Sequence, residues 1–256
     1  MPEGPDIAIE VRHLGVCYRR YLKKITTLKE AFVSMFQGSH FESFWALRDF
    51  NLTVARGERV GVIGPNGSGK STLLKVIAGV LPPTEGQVVT SGRIAPLLEL
   101  GSGFKNDLTG RENIFLNGAI LGLPPAQMKE RFERIVTFSG IGDFINAPLS
   151  TYSSGMRTRL GFAVATDVDA DILLLDEILS VGDAAFQEKA LRRIEDLLSQ
   201  GVTVILVSHD IGQIRRICSR AVYIEKGRIK MSGDVTTVTE GYLRSVSRKT
   251  SLEAAR

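Results

Sequence analysis

The sequence predicts an α/β fold on a mainly parallel β-sheet, and three observations carry that expectation. Two continuous apolar runs, residues 172–175 and 202–207, suit strands covered on both faces, as in parallel sheets. Between them, Phe186, Ala190, Ile194 and Leu197 share one face of a helix over residues 184–198. Upstream, a short β-branched run over 58–63 leads into a glycine-rich stretch and a helix over 71–80, stopped by Pro82 and Pro83. Strand, loop, helix, strand, helix, strand is the order of an α/β domain.

The other elements are taken in chain order. Residues 7–11 alternate as a strand that 14–18 continue, and 46–54 read as the next strand. Residues 19–44 between them read as an insertion, with Leu28, Ala31, Phe32, Met35 and Phe36 at helical spacing. Thr109-Gly110-Arg111-Glu112 is a capping-box pattern opening a helix to about Leu121. Pro125 starts another, with Met128, Phe132, Ile135 and Val136 on one face, inside a helical portion of about 109–168. Residues 223–231, turning at Lys226-Gly227, suggest a hairpin near the end of one domain spanning 1–246. A frayed tail is expected over 247–256.

With 256 residues, 43% of them hydrophobic and 23% charged, the chain can bury a sizeable core and does not have the composition of a disordered protein. No apolar run approaches the roughly 20 residues that a membrane span needs. The start, Met1-Pro2-Glu3-Gly4-Pro5-Asp6, is acidic and lacks the basic and apolar regions of a signal peptide. Two cysteines, Cys17 and Cys218, give no disulfide framework and suit a reducing cytosol. The formal net charge of +4 is concentrated in Arg19, Arg20, Lys23, Lys24 and Lys29, and again in Arg244, Arg248, Lys249 and Arg256. Composition alone leaves nucleic acid and an anionic membrane both open as partners for these clusters.

The chemistry starts at Gly64-Pro65-Asn66-Gly67-Ser68-Gly69-Lys70-Ser71-Thr72. It fits the phosphate-binding loop, between a strand and a helix as that motif requires. Glycines let backbone N–H groups close on phosphates, and the helix N-terminus adds positive potential. Lys70 supplies a cation to the β- and γ-phosphates, Ser71 a hydroxyl to Mg²⁺, and Thr72 reaches the α-phosphate. Downstream, the apolar run ends in Asp176-Glu177. Asp176 would hold Mg²⁺ from its outer coordination sphere, and Glu177 would orient or deprotonate the attacking water.

Two further motifs are Tyr152-Ser153-Ser154-Gly155-Met156 before a helix and Val207-Ser208-His209-Asp210 after a strand. With them the sequence resembles the ATP-binding subunits of ABC transporters, over essentially its whole length. The resemblance implies an ABC-type P-loop NTPase, with an antiparallel β portion near the base and a helical portion carrying the signature. It implies a homodimer in which Ser153, Ser154 and Gly155 of one copy cap the γ-phosphate on the other's phosphate loop. His209 would touch that phosphate, and Ser180-Val181-Gly182-Asp183 would form the subunit-contact loop, with Asp183 beside the nucleotide. Tyr18 maps to the aromatic that stacks on adenine.

Departures narrow the family. The signature is Tyr-Ser-Ser-Gly-Met where Leu-Ser-Gly-Gly-Gln is commonest, and the lid-loop glutamine is missing, leaving Glu99 as the nearest candidate for Mg²⁺. The stretch 99–104, then Leu108-Thr109-Gly110-Arg111-Glu112-Asn113, and the long insertion are similar to the subunits that export bacterial O-antigen, capsule or teichoic acid. Some members append a carbohydrate-binding domain; the sequence ends soon after Leu243, and none is expected here. The resemblance therefore implies an ATPase on the cytoplasmic face of the membrane, paired with a permease that exports a lipid-linked glycan, with no nucleic-acid partner. The basic, aromatic insertion 19–44 is expected to face that permease and the membrane. The alternatives are a transport ATPase for a drug or peptide and a soluble ABC ATPase.

Overall fold

The computed structural model describes residues 6–21, 41–98, 100–101, 103–176 and 182–254. The helix expected over 28–36 lies outside them. Nine strands are present: β1 (Ile7–Tyr21), β2 (Phe41–Ala55), β3 (Arg59–Ile63), β4 (Glu85–Thr90), β5 (Ile94–Leu97), β6 (Ile172–Asp176), β7 (Thr203–Val207), β8 (Arg220–Glu225) and β9 (Arg228–Asp234) among the described residues. A six-stranded sheet has the order β5-β6-β7-β3-β8-β9, and a three-stranded sheet the order β2-β1-β4. The larger sheet is parallel except for β9, which returns from β8 as a hairpin. The smaller one is antiparallel throughout.

The continuous apolar strands are explained by cover on both faces. Leu173, Leu175, Val204 and Leu206 meet the helices α5 (Ala184–Ser199), α6 (Ile211–Ile217) and α7 (Val235–Ala254) through Phe186, Ile194, Ile214 and Val238. Their alternates, Ile172, Leu174, Ile205 and Val207, face α1 (Lys70–Ile77) and the small sheet, with Leu73, Leu74, Phe50 and Val54. Each residue buries its side chain whichever way it points, so no polar position interrupts the run.

The helical portion has its own core. Helices α2 (Gly110–Ile120), α3 (Pro125–Ser139) and α4 (Ser154–Thr166) close around Ile114, Met128, Phe132, Ile135 and Leu160. The capping box is present: Glu112 N–H donates to Thr109 Oγ1 at 3.2 Å, and Thr109 N–H to Glu112 Oε2 at 2.8 Å. Polar contacts tie this portion to the rest. Asp167, 6% exposed, accepts two bonds from Arg134 at 2.7 and 2.9 Å and one from Arg193 of α5 at 3.4 Å. Arg131 donates to the Asp167 carbonyl and to the Asp169 carboxylate.

Two expectations are corrected. Strands β1 and β2 stay paired as far as Tyr21 opposite Phe41, so Arg19 and Phe44 belong to the sheet and not to an insertion over 19–44. The chain from 247 is not a frayed tail, because α7 runs to Ala254. Val235 and Val238 anchor its first turns in the core, and Tyr242 meets Tyr223 edge-on at 5.2 Å. Once a helix is nucleated by such packing, each added turn is cheap.

Candidate functional site

The phosphate loop, Asp176 and His209 follow the C-terminal edge of the central sheet. Register aligns them: Val62 of β3 pairs with Val207 of β7, and Val207 pairs with Asp176 of β6. The chain therefore leaves β3 into the phosphate loop, β7 toward His209 and β6 at Asp176, all from one row. Ligands in open α/β sheets bind outside this edge, where strands end and loops begin.

The loop is pressed into place from behind. A Cβ on Gly64 would lie 2.2 Å from the carbonyl oxygen of Ile224, and one on Gly69 2.4 Å from that of Ala46. Gly69 also has φ 106°, a backbone conformation that side chains disfavour, and it is the N-cap of α1. Gly67 at the tip meets nothing within 4 Å, which leaves its backbone open to a ligand. Lys70 is only 7% exposed, and its Nζ donates to the carbonyls of Gly64 at 2.9 Å and Pro65 at 3.0 Å. The cation is thus folded over its own loop, facing where phosphates would enter. The Ser68 hydroxyl, 2% exposed, has no hydrogen-bond partner among the described residues.

The loop is also fastened to the small sheet. At the β8–β9 turn, Gly227 has φ 73°, its N–H donates to the Ser68 carbonyl at 3.1 Å, and its own carbonyl accepts from Arg48 N–H at 3.0 Å. A Cβ there would lie 2.6 Å from the Ala46 carbonyl oxygen. Phosphate loop, hairpin turn and β2 meet at this one point.

A cleft of about 340 Å³ runs along this edge. Asn66, Gly67, Gly69, Lys70, Ser71 and Thr72 form its phosphate end, and His209 stands on its rim. Tyr18 closes the other end, where a base-stacking aromatic is expected, and Phe44 stands beside it. Sequence reasoning does not place Phe44 here. Its pairing with Tyr18 depends on the β1–β2 register, and spacing along the chain does not reveal it. Larger cavities of about 460 and 550 Å³ lie elsewhere, but the phosphate loop borders neither.

Other expected residues are not gathered in this cleft. Ser153 caps α4, accepting from Met156 N–H at 3.2 Å, and the space beside Gly155 is open except for Ser153 Oγ at 3.9 Å. Ser153 and Ser154 are exposed. Tyr152, in place of the common leucine, is buried, and its hydroxyl donates to the Phe144 carbonyl at 2.5 Å. Burial pushes its phenol above the ordinary range. Asp183 is exposed and caps α5 through Phe186 N–H at 2.9 Å. Glu99, Glu177, Ser180 and Val181 lie outside the described residues.

The residues present fit a nucleoside triphosphate. Glycines backed by carbonyl oxygens shape the loop, an open tip and a nearly buried cation face one volume, and aromatic rings stand at its far end. Comparison with known proteins agrees. The family described as "ABC transporter" matches residues 47–180, just over half the chain. The chain is 52% identical over 199 residues to the ABC transporter protein AbcA of Aeromonas salmonicida, covering 78% of this chain and 65% of that one. It is 44% identical over 253 residues to the O-antigen export system ATP-binding protein RfbB of Myxococcus xanthus, covering 96% of this chain and 58% of that one. It is 41% identical over 239 residues to the teichoic acids export ATP-binding protein TagH of Listeria innocua, covering 93% of this chain and 70% of that one. The chain thus spans less than two thirds of the length of the first two of these relatives. Among solved structures, a dimeric ATP-binding cassette bound to ADP and Pi superposes with a TM-score of 0.67 at 23% identity, covering 89% of this chain and 98% of that one, a likeness of fold. The chain thus belongs to the ABC transporter family.

Proposed function

We propose that this chain is the ATP-hydrolysing subunit of an ABC exporter that drives a lipid-linked surface polysaccharide across the cytoplasmic membrane. One observation carries the ATPase part: a single row of β3, β7 and β6 aims the phosphate loop, His209 and Asp176 at one edge. The polysaccharide part is supported by likeness to proteins named for O-antigen and teichoic acid export.

In this mechanism the loop N–H groups and Lys70 Nζ neutralise the β- and γ-phosphates, the cation exchanging its two carbonyl partners for phosphate oxygens. Ser71 and Asp176 are the residues that would hold Mg²⁺, which supplies charge neutralisation between the phosphates. Among the described residues no group of three or more His, Cys, Asp or Glu is placed to hold a metal. Such an ion would take its remaining ligands from phosphate and water, as Mg²⁺ commonly does. Glu177 follows Asp176 directly and orients the attacking water; His209 donates to the γ-phosphate. Glu99 is the candidate for sensing Mg²⁺ from the lid loop.

Each site is completed by a second copy. Ser153, Ser154 and Gly155 stand at the exposed start of α4, outside the cleft, so they serve the partner's γ-phosphate. Asp183 lies at that same subunit contact. Closing and reopening of the pair drives membrane-embedded permease subunits. The chain works at the cytoplasmic face by docking on its permease; among the described residues no helix is long and apolar enough to cross a membrane.

The test is a pair of variants. Glu177→Gln should bind ATP with wild-type affinity, hydrolyse it at least ~100-fold more slowly and dimerise with ATP in light scattering. Turnover near wild type would remove Glu177 from its role. Cells carrying Lys70→Ala as their sole copy should lose the surface glycan, and normal glycan display would reject the export assignment.

A further inference from the structure

The base end of the cleft holds a ring with no assigned task. Phe44 stands directly across from Tyr18 in the β1–β2 ladder, and both border the cleft that the phosphate loop closes. Directly opposed residues of an antiparallel pair share one face, with Cβ atoms about 4.5–5.5 Å apart. The two side chains therefore leave the same face of the ladder and border the same cleft. The next residue, Trp45, lies against Gly15: a Cβ added to that glycine would meet the indole at 2.9 Å. Phe44 is instead left 56% exposed and Tyr18 41%. Both rings are thus left in water where they border the cleft, and a flat ligand lying there would cover them.

The geometry points to Phe44 as a second base-stacking residue, forming with Tyr18 a two-ring platform for the nucleobase of ATP. This rests on the nucleotide-cleft assignment above and deepens it. The phosphate loop fixes one end of the ligand, and the aromatic pair receives the other. Ala46, the third residue at this end, has no polar side-chain group. The base is therefore held by stacked area more than by its hydrogen-bonding edge, and every base has a π-face to offer. GTP should accordingly bind within a few-fold of ATP.

Calorimetry on the full chain tests the platform, with Mg²⁺-ATP and Mg²⁺-tripolyphosphate as the two ligands. Phe44→Ala should lose roughly tenfold in ATP affinity, the scale of one stacking contact, and keep its affinity for tripolyphosphate. Phe44→Tyr should bind ATP as the wild type does. Unchanged ATP affinity in Phe44→Ala would overturn the platform and leave that ring to a contact with another polypeptide. An equal loss for both ligands would overturn it too, because tripolyphosphate has no base to stack. Failure of the wild-type chain to bind either ligand would instead sink the nucleotide-cleft assignment itself.

Discussion

The sheet edge that carries the phosphate loop and the helical portion that carries Ser153 are held together by different physics. At the edge, backbone lies against backbone: Gly64 on Ile224, Gly69 and Gly227 on Ala46, above strands buried on both faces. In the helical portion, side-chain networks add to the backbone contacts across elements. Asp167 collects bonds from Arg134 and Arg193, and Asn113 Nδ2 donates to the carbonyls of Lys105, Leu108 and Thr109 at 3.0, 3.1 and 2.9 Å. Backbone packed against a glycine does not yield by rotamer changes, whereas side-chain networks can.

The sharpest way to break the comparison is at Gly69. Gly69→Ala should cost ~3 kcal/mol or more, since the new Cβ meets a backbone carbonyl at a φ that disfavours it. Urea unfolding measures it, and tripolyphosphate binding should vanish; a loss under about 1 kcal/mol would show that the edge yields as readily as the helices. Next, Asp167→Ala strips a buried acceptor from its arginines and should cost about 3 kcal/mol. Hydrogen exchange should quicken in α3 while nucleotide affinity holds, and an affinity loss above a few-fold would join the two regions. Thr109→Ala removes one cap and should cost about 1 kcal/mol, confined to α2.

Acid should separate the regions with the smallest effect. A hydrogen bond from Arg131 holds the Asp169 carboxyl below its ordinary 3.8, and the Thr109 backbone N–H holds that of Glu112 below 4.5. Both groups bind protons less readily when folded, so their contribution is complete above the ordinary carboxylate range. It is lost as pH falls through the depressed folded values. Exchange measured at about pH 6 and about pH 3 should therefore show α2 and α3 loosening first. Earlier loosening of β3 or β7 would contradict this.

The division also explains what is legible in the sequence. The phosphate loop and the Thr109 cap make their contacts within a few residues, so residue type and spacing reveal them. The strands β4 and β5 escape sequence reasoning because they are short, β4 is largely exposed, and neither alternates apolar with polar residues along its sequence. Phe44 reads as the end of a membrane-facing insertion because the stretch 19–44 mixes basic and aromatic residues. Its place beside Tyr18 is set by the pairing of strands whose connection, 22–40, carries no local signal for register. The far end of the last helix is hidden for a related reason: Val235, Val238 and Tyr242 are helical in spacing, but the Ser- and Arg-rich chain beyond them is not apolar.

One small contact has a broader consequence. The Lys226-Gly227 turn is bonded to Ser68 in the phosphate loop and to Arg48 in the strand that bears Phe44. One small turn therefore fixes how far the phosphate loop stands from the strand that bears Phe44. A side chain at Gly227, whose Cβ would lie 2.6 Å from the Ala46 carbonyl oxygen, would shift loop and strand together.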